Sequence, residues 1–358
     1  MPSSVTKRQF LRLLSLAGAS ITTGALSAAH ADETLAIKPI QTRKDDEDFS
    51  FLVGGPEKSA LGEWATQFSS SFATSLQETA PLPVKYTTGY DGVTGANLFD
   101  TRTSPDGNTA LVTSGSAFIA SMAGDKRVHF DCERWIPILT GLSPSVTIAR
   151  QPFHNSIPDL LKNRSMKVAV TSVIGRELPT LLGIELLKIN TIPVDGFTDY
   201  PTAINALKKG DVDALQLSTH ESVAQIPELL KDGLHVFFSL DNSTTYGPRF
   251  SDLYNQFRHY KTANTLFDAW NAIALASRMS VAIMLPMLTP SALVSKWKLH
   301  TSKILQDSSI INMAKQNDTT LQENPVCNDT MSKICPSIIT TMALQRWLSA
   351  KSSKWSNN

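Results

Sequence analysis

Short apolar segments alternate with helical stretches over most of this chain, and that alternation limits its fold more than any other feature. The apolar segments are "TALVT" (109–113), "KVAVT" (167–171), "DALQL" (213–217), "HVFFS" (235–239) and "SVAIML" (280–285). Stretches with helical periodicity lie between them, including 177–188 and 200–209. Strands that alternate with helices indicate α/β folds, whose helical crossovers favour parallel strand pairing. The sequence therefore predicts an α/β architecture with largely parallel sheets.

The first strand and the first helix enclose a glycine-rich loop. The fold begins at "SFLVGG", and from residue 61 the apolar positions repeat at steps of three and four, which places them on one helix face. These positions are Leu61, Trp64, Ala65, Phe68, Phe72 and Leu76. Gly54-Gly55-Pro56 is then a strand-to-helix loop, and open α/β sheets bind ligands at such loops, beyond the carboxyl ends of the strands.

Loops rich in glycine and hydroxyl side chains recur along the chain. They are "VGGPEKSA" (53–60), "TGYDGVTGAN" (88–97), "TSGSAF" (113–118), "VTSVIGRE" (170–177) and "PVDGFTDYP" (193–201). Most of them open a helix, so their N–H groups carry the partial positive charge of a helix start and bind anions without a lysine cage. One such loop is weak support, because tight turns need glycine for positive φ. Their recurrence favours an anion-binding site.

No catalytic template matches the sequence. The chain lacks G-x-x-x-x-G-K-[ST], G-x-G-x-x-G and G-x-S-x-G. "THESVAQ" (219–225) begins like the zinc helix H-E-x-x-H, but Ala224 stands where the second histidine is required. We therefore expect no metal, no cofactor and no catalytic residue, and a binding protein rather than an enzyme.

The amino terminus predicts export. Lys7, Arg8 and Arg12 precede a weakly apolar stretch of small residues that ends in Ala29-His30-Ala31, which is typical of a signal peptide cleaved after Ala31. "TKRQFLRLL" resembles a twin-arginine motif with lysine in the first arginine position, and the general secretory route stays open. We expect a periplasmic protein whose length allows two domains. The chain carries 33 basic and 32 acidic residues, without the basic excess that nucleic-acid binding requires.

The order of the loops resembles a known family. "FLVGG" comes first, then "GYDGVTGANLFDTRTSPDGNTALVTSGSA", then "IPVDGFTDYPTAINALKKGDVDAL", and finally "MLPMLTPSALVSKWKLHTSKILQD" at 284–307. This series resembles the substrate-binding proteins of tripartite tricarboxylate transporters, the TctC or Bug family, as a divergent member. The resemblance is collinear and covers roughly residues 48 to 320.

The resemblance implies a type II periplasmic-binding-protein fold, with two α/β domains, a ligand cleft between them and two crossover strands. Domain 1 would comprise 32–149 plus 245–358, and domain 2 would comprise 150–244. The implied function is a monomeric periplasmic receptor that captures a small carboxylate ligand by hinge closure and delivers it to membrane permease subunits. A ligand-sensing co-receptor for a periplasmic sensor kinase is the alternative, and a secreted enzyme ranks last.

The resemblance also implies which residues bind the ligand. The first-domain contacts would be Gly54, Gly55, Ser59, Thr94, Gly95, Ser114 and Ser116, and the second-domain contacts Thr171, Ser172, Gly175, Gly196 and Phe197. Two positions depart from the family pattern: Lys58 lies near a usually acidic position, and Arg176 stands where small or amide residues are usual. Facing each other across the cleft, Lys58 and Arg176 would hold two carboxylates of one ligand. The alternative is that both point to solvent.

The three cysteines raise a separate question. In an oxidising compartment "CNDTMSKIC" (327–335) predicts a local disulfide between Cys327 and Cys335, since no histidine lies nearby to share a metal. Cys132 is then left over, and we expect it to be buried and inert.

Overall fold

Two separate β-sheets with flanking helices make up the structure, a computed structural model that describes residues 48–150, 165–241, 245–257 and 264–355. The strands are β1 (Ser50–Val53), β2 (Val84–Tyr86), β3 (Thr109–Thr113), β4 (Trp135–Leu142), β5 (Val146–Arg150), β6 (Ser165–Ala169), β7 (Asn190–Val194), β8 (Ala214–Leu217), β9 (Leu234–Ser239), β10 (Met279–Pro286) and β11 (Thr320–Gln322). The helices are α1 (Ala60–Leu76), α2 (Val93–Arg102), α3 (Gly115–Ala123), α4 (Leu178–Leu186), α5 (Tyr200–Lys209), α6 (His220–Val223), α7 (Ile226–Lys231), α8 (Phe250–Phe257), α9 (Thr265–Arg278), α10 (Ser291–Ile304), α11 (Ser308–Gln316), α12 (Val326–Ile334) and α13 (Ile338–Trp355). The described residues all belong to a single unit.

The first sheet has the strand order β11-β4-β10-β3-β1-β2. β1 is parallel to β2 and β3, whereas β10 is antiparallel to both β3 and β4, and β11 is antiparallel to β4. We call this sheet, together with α1–α3 and α10–α13, the first lobe. Because β1 and β3 run in the same direction, the loops that follow Val53 and Thr113 lie at the same edge of the sheet.

The second sheet has the strand order β7-β6-β8-β5-β9. β6 is parallel to β7 and β8, and β5 is antiparallel to β8 and β9. We call this sheet, together with α4–α7, the second lobe. The loops that follow β6 and β7 leave the sheet at the same edge, so two of the predicted binding loops come together there.

The chain passes from one lobe to the other in two places. β4 continues into β5 through residues 143–145, and β9 returns to β10 through α8 and α9. The N–H of Ser143 donates to the carbonyl of Arg278 (2.8 Å), and the N–H of Leu240 donates to the carbonyl of Ser145 (2.9 Å). α9 also packs against α3 of the first lobe and α4 of the second. Hydrogen bonds and helix packing therefore tie the connecting segments together where the lobes meet.

The predicted fold class is confirmed, and the predicted helical stripe is part of the core. Trp64, Phe68 and Phe72 on α1 are buried, and Ser59 caps the amino terminus of that helix. The prediction of largely parallel sheets is wrong, because both sheets are mixed. The apolar run of β10 suits a buried strand that is either parallel or antiparallel to its neighbours. The path of the chain through the helices before β10 determines which of the two it forms.

An aromatic cluster forms the centre of the core under α1. The ring of Trp297, on α10, contacts Phe49, Phe51 and Phe72 with centroid distances of 4.9, 5.6 and 5.1 Å. The indole N–H donates to the carbonyl of Gly107 (2.8 Å), so the polar atom of this buried side chain has a partner.

The carboxyl-terminal helix reaches from one lobe to the other. α13 packs on α3 and α9, and near its end Lys351 forms an ion pair with Glu185 of α4 (2.5 Å). One turn further on, the indole N–H of Trp355 donates to the carbonyl of Thr191 in β7 (2.8 Å). The segment after residue 320, for which the resemblance offers no counterpart, thus contacts the second lobe directly.

The structure does not place the cysteines as the sequence predicts. Cys327 lies in the first turn of α12 and Cys335 directly follows its last residue. Cys335 lies eight positions after Cys327 along the helix, which corresponds to a rise of about 12 Å, beyond the Cα separation of about 7 Å that a disulfide spans, so this predicted pairing is wrong. Cys132 is half-buried rather than buried, and its Sγ lies 2.9 Å from the Sγ of Cys335.

The predicted signal peptide and its cleavage site after Ala31 lie outside the described residues. Within the described part of the chain, no helix combines the length and the apolar character needed to cross a membrane.

Candidate functional site

Two adjoining cavities lie between the lobes. The small cavity, of about 220 Å³, is lined by the Gly54-Gly55 loop, Ser114 and the crossing residue Ser143 on one side and by Arg176 and Ser218 on the other. The large cavity, of about 540 Å³, lies mainly against the second lobe. Tyr90 and Arg176 line both cavities, so the two form one continuous cleft.

Close backbone contact fixes the Gly54-Gly55 loop. The N–H of Gly54 extends the β1–β3 pairing by donating to the carbonyl of Val112 (2.8 Å). α2 lies so close that a Cβ on Gly95 would stand 2.6 Å from the Cα of Gly54. Real Cβ atoms do not approach that closely. Gly95 therefore shapes the cavity wall through its lack of a side chain.

The hydroxyl of Ser59 both donates and accepts a hydrogen bond close to the start of α1. Its Oγ accepts from the N–H of Gly62 (3.1 Å) and donates to the carbonyl of Pro56 (2.6 Å). It is the amino-terminal cap of α1, and a cap of this kind satisfies a helix N–H that has no intrahelical partner. Because its single proton is already used, Ser59 acts on the site by holding the loop in place.

The start of α3 differs from that of α1, because the residue at its N-cap position, Ser114, makes no side-chain hydrogen bond to the helix. Ser114 is 5% exposed, its hydroxyl makes no side-chain cap bond, and within the described residues it has no hydrogen-bond partner. The next residue, Gly115, packs against α9 so tightly that a Cβ would lie 1.7 Å from the carbonyl oxygen of Ala276. The first N–H groups of α3 and the Ser114 hydroxyl are thus held next to the small cavity, while Ser116 lines the large one.

The second-lobe wall is the loop that precedes α4. It turns through a hydrogen bond from the N–H of Gly175 to the carbonyl of Ser172 (3.0 Å). Glu177 accepts from the N–H (3.2 Å) and the hydroxyl (3.1 Å) of Thr171, which closes the loop on itself. Burial raises the pKa of Glu177 above its ordinary value, although the Thr171 hydrogen bonds and the charge of Arg176 act in the opposite direction.

Arg176 is positioned through its backbone. Its carbonyl accepts from Nε2 of Gln216 (3.1 Å) and from Oγ of Ser277 (2.9 Å), and Oε1 of Gln216 accepts from the hydroxyl of Thr180 (2.8 Å). Gln216 lies on β8 and Ser277 on α9, so the network joins the loop to the crossing region. The side chain of Arg176 is half-buried, and the described residues offer it neither an ion pair nor a hydrogen bond.

Sequence reasoning missed Gln216 and Tyr90 as residues of the cleft, and Ser277 as a residue that holds the Arg176 backbone. A signal for Gln216 was present, since a glutamine inside the apolar strand "ALQL" has to find hydrogen-bond partners when it is buried. Tyr90 belongs to a loop that the sequence did single out, and its ring is largely exposed between the two cavities.

The charges of the two cavities differ. The large cavity contains Asp91, Glu177 and Asp199 beside Arg127 and Arg176, and Arg127 is already paired with Asp91 (2.8 Å). Among the described residues that line the small cavity, Arg176 is the only charged one. The small cavity is therefore net positive and otherwise lined by hydroxyls, an amide, aromatic rings and backbone.

The other predicted contacts fall into two groups. Thr171, Ser172, Gly175 and Phe197 line the large cavity. Gly196 is exposed with a positive φ of 93° and lines neither cavity. Lys58 and Thr94 are likewise exposed and line neither cavity, so the structure does not bring Lys58 together with Arg176. Their roles in binding stay predictions.

The described residues contain no group of three or more histidine, cysteine, aspartate or glutamate side chains that could hold a metal ion. The chemistry of the small cavity is hydrogen bonding and one cation, Arg176, which suits the reversible binding of an anion.

This chain matches known proteins in structure but not in sequence. No protein-family model matches the sequence, and no curated protein matches it. A TctC solute-binding protein from Polaromonas, crystallised without ligand, matches with a TM-score of 0.62 at 13% identity, over 84% of this chain and 98% of its own.

Two further solved structures match over most of their length. A periplasmic transporter has a TM-score of 0.54 at 14% identity, over 85% of this chain and 96% of its own. The periplasmic binding protein BugD has a TM-score of 0.52 at 16% identity, over 85% of this chain and 97% of its own. At the level of the fold, the resemblance predicted from the sequence is confirmed: this chain has the fold of the TctC and Bug periplasmic solute-binding proteins.

Proposed function

We propose that this chain is a divergent TctC-type solute-binding receptor that captures a small carboxylate ligand in the cleft between its lobes. The fold supports a binding protein, and the ordered series of loops supports this family. Delivery of the ligand to membrane permease subunits, export to the periplasm and a monomeric state are parts of the same proposal. The division into 32–149 plus 245–358 and 150–244 likewise stays a prediction.

The small cavity carries the proposal. Its one charged side chain, Arg176, has no partner among the described residues, so its guanidinium is available for two parallel hydrogen bonds to a carboxylate. The free hydroxyl of Ser114 and the start of α3 supply further donors on the facing lobe. The neighbouring carboxyl of Glu177 interacts with the Arg176 cation without forming an ion pair, so a ligand carboxylate would be the group that pairs with it directly.

The size of the small cavity favours a small acid. Its volume of about 220 Å³ lies below the ~300 Å³ at which pockets for drug-sized ligands begin. A second carboxylate or a larger group of the same ligand would extend past Tyr90 into the large cavity, where Thr171 and Ser172 offer hydroxyls.

Calorimetric titration with succinate, citrate and benzoate, and with the neutral amide of each acid, tests the proposal. At least one acid should bind and its amide should not. Arg176→Gln should weaken that binding about 10- to 100-fold, the equivalent of a hydrogen bond to a charged group. Lys85→Gln is the matched control, because it removes one positive charge from the exposed edge strand β2, away from both cavities.

Three further variants separate the roles of individual residues. Ser114→Ala should weaken binding with little loss of stability, whereas Ser59→Ala should lower the free energy of unfolding by about 1 kcal/mol through loss of the helix cap. Lys58→Gln tests the predicted second cation. Equal binding by Arg176→Gln and the unmodified protein, or tighter binding of the amides than of the acids, would contradict the carboxylate site.

A further inference from the structure

Two cysteines that are distant in the sequence lie side by side in the fold. Cys132 begins a 3₁₀ turn (Cys132–Arg134) just before β4, and Cys335 follows the last residue of α12. Their Sγ atoms are 2.9 Å apart although 203 residues separate them in the chain. Because the two residues sit on different elements, only the packing of α12 beside the start of β4 brings them together.

The surroundings of this pair favour reaction between its two members. Both side chains are half-buried and pack against the main hydrophobic core, so the pair is held in place yet still reached from solvent.

The third cysteine, Cys327, lies too far from this pair to form a disulfide with either member. Cys327 is fully buried at the opposite end of α12, and its Sγ lies 3.8 Å from the carbonyl of Pro137. It therefore cannot compete for either member of the pair without unfolding of that helix.

We propose that Cys132 and Cys335 form a disulfide bond under oxidising conditions, with Cys327 left as a free thiol. The oxidant is an external disulfide, RSSR. One cysteine thiolate attacks it and releases RS⁻, and the second thiolate then attacks the mixed disulfide and releases the other RS⁻. The two cysteine protons end on the two RSH products, so the exchange leaves one protein disulfide and two reduced thiols.

The bond would anchor the carboxyl-terminal helix. Cys335 lies three residues before the start of α13, whose far end contacts the second lobe through Lys351 and Trp355. A cross-link at Cys335 fixes the near end of that helix to the first lobe. Because the bond closes a loop of more than two hundred residues, it also removes much freedom from the unfolded chain. The inference stands independently of the ligand and of the proposed transport role.

Peptide mapping by mass spectrometry tests the pairing directly. The full-length protein is equilibrated with oxidised glutathione, alkylated under denaturing conditions and digested with trypsin. The three cysteines then fall in separate peptides, 128–134, 316–333 and 334–346. The expected result is a cross-link between 128–134 and 334–346 that dithiothreitol removes, with alkylated Cys327 in 316–333. A cross-link between 316–333 and 334–346, or alkylation of all three cysteines, would overturn the proposal.

Thermal unfolding provides a second readout. Dithiothreitol should lower the melting temperature of the oxidised protein by on the order of 5 °C. Cys132→Ser and Cys335→Ser should melt like the reduced protein and be insensitive to dithiothreitol, whereas Cys327→Ala should keep the response. A response that persists in Cys132→Ser would refute the pairing. If either serine variant fails to fold, peptide mapping of the unmodified protein still decides the question.

Discussion

The ion pair between Lys351 and Glu185 offers the sharpest test of how the carboxyl-terminal helix is docked. Nζ of Lys351 lies 2.5 Å from Oε2 of Glu185, and the two side chains are only 16% and 11% exposed. The other carboxylate oxygen accepts from the N–H (2.8 Å) and the hydroxyl (3.0 Å) of Thr191. The pair therefore joins α13 to α4 and β7 in a largely desolvated setting.

Replacement of Lys351 by methionine keeps the apolar stem and removes the charge. Breaking a buried pair costs about 3–5 kcal/mol because it leaves an uncompensated charge. Here Thr191 continues to stabilise Glu185, so we expect the loss of one charged hydrogen bond and a fall of about 2–3 kcal/mol in the free energy of unfolding. Urea unfolding followed by tryptophan fluorescence, with linear extrapolation to water, measures it.

Two further variants make the measurement specific. Glu185→Gln combined with Lys351→Met removes both charges and should recover part of the loss, with a coupling energy of about 1–3 kcal/mol. The control is Lys333→Met, whose pair with Asp329 is 62% and 61% exposed and should contribute less than about 1 kcal/mol. If Lys351→Met destabilises the protein no more than Lys333→Met does, α13 is not docked on the second lobe as described.

Three other predictions follow from the packing. Gly95→Ala should cost about 1–3 kcal/mol in urea unfolding and weaken ligand binding, because the new Cβ would displace Gly54; unchanged affinity would refute this account of the loop. Trp297→Phe leaves the carbonyl of Gly107 unpaired and should lower the free energy of unfolding by about 1–3 kcal/mol, and a loss below the error of the same assay would contradict that role. Burial and the neighbouring lysines lower the pKa of His300 in the folded protein, so the unfolded chain binds the His300 proton more readily. The free energy of unfolding should therefore be highest above pH ~6.5 and should fall as the pH drops below that value. Unfolding at pH 7.5 and 5.5 should show a larger difference in the unmodified protein than in His300→Gln, and equal differences would contradict this assignment.

Local patterns decided which parts of the chain form helices and strands. The apolar spacing of Trp64, Phe68 and Phe72 predicts the buried face of α1, because side chains three and four positions apart share a helix face whatever lies opposite. The predicted helix at 200–209 has the same bounds as α5, which begins after the capping aspartate Asp199 and ends at Gly210 in the left-handed region. Periodicity and caps act over a few residues, so they are visible in the sequence.

The predicted contacts were partly identifiable for the same reason. Glycine-rich loops at helix starts predict where N–H groups point, and the start of α3 lies at the small cavity with the hydroxyl of Ser114 free. Residue type did not tell a free hydroxyl from an occupied one. Ser59 and Ser114 both stand at the N-cap position of a helix, but the structure shows that the Ser59 hydroxyl is bonded to Gly62 and Pro56, whereas the Ser114 hydroxyl makes no cap bond.

By itself, the sequence thus determined the α/β class, the position of the core helix and the loops that surround the cleft, because these depend on neighbours along the chain. Tertiary structure alone decided that Arg176 rather than Lys58 lines the small cavity, and that Gln216 and Ser277 hold its backbone. It also decided that Cys335 lies beside Cys132 rather than Cys327. Each of these outcomes depends on contacts between distant segments, whose directions are set only when the two lobes and the carboxyl-terminal helix pack together.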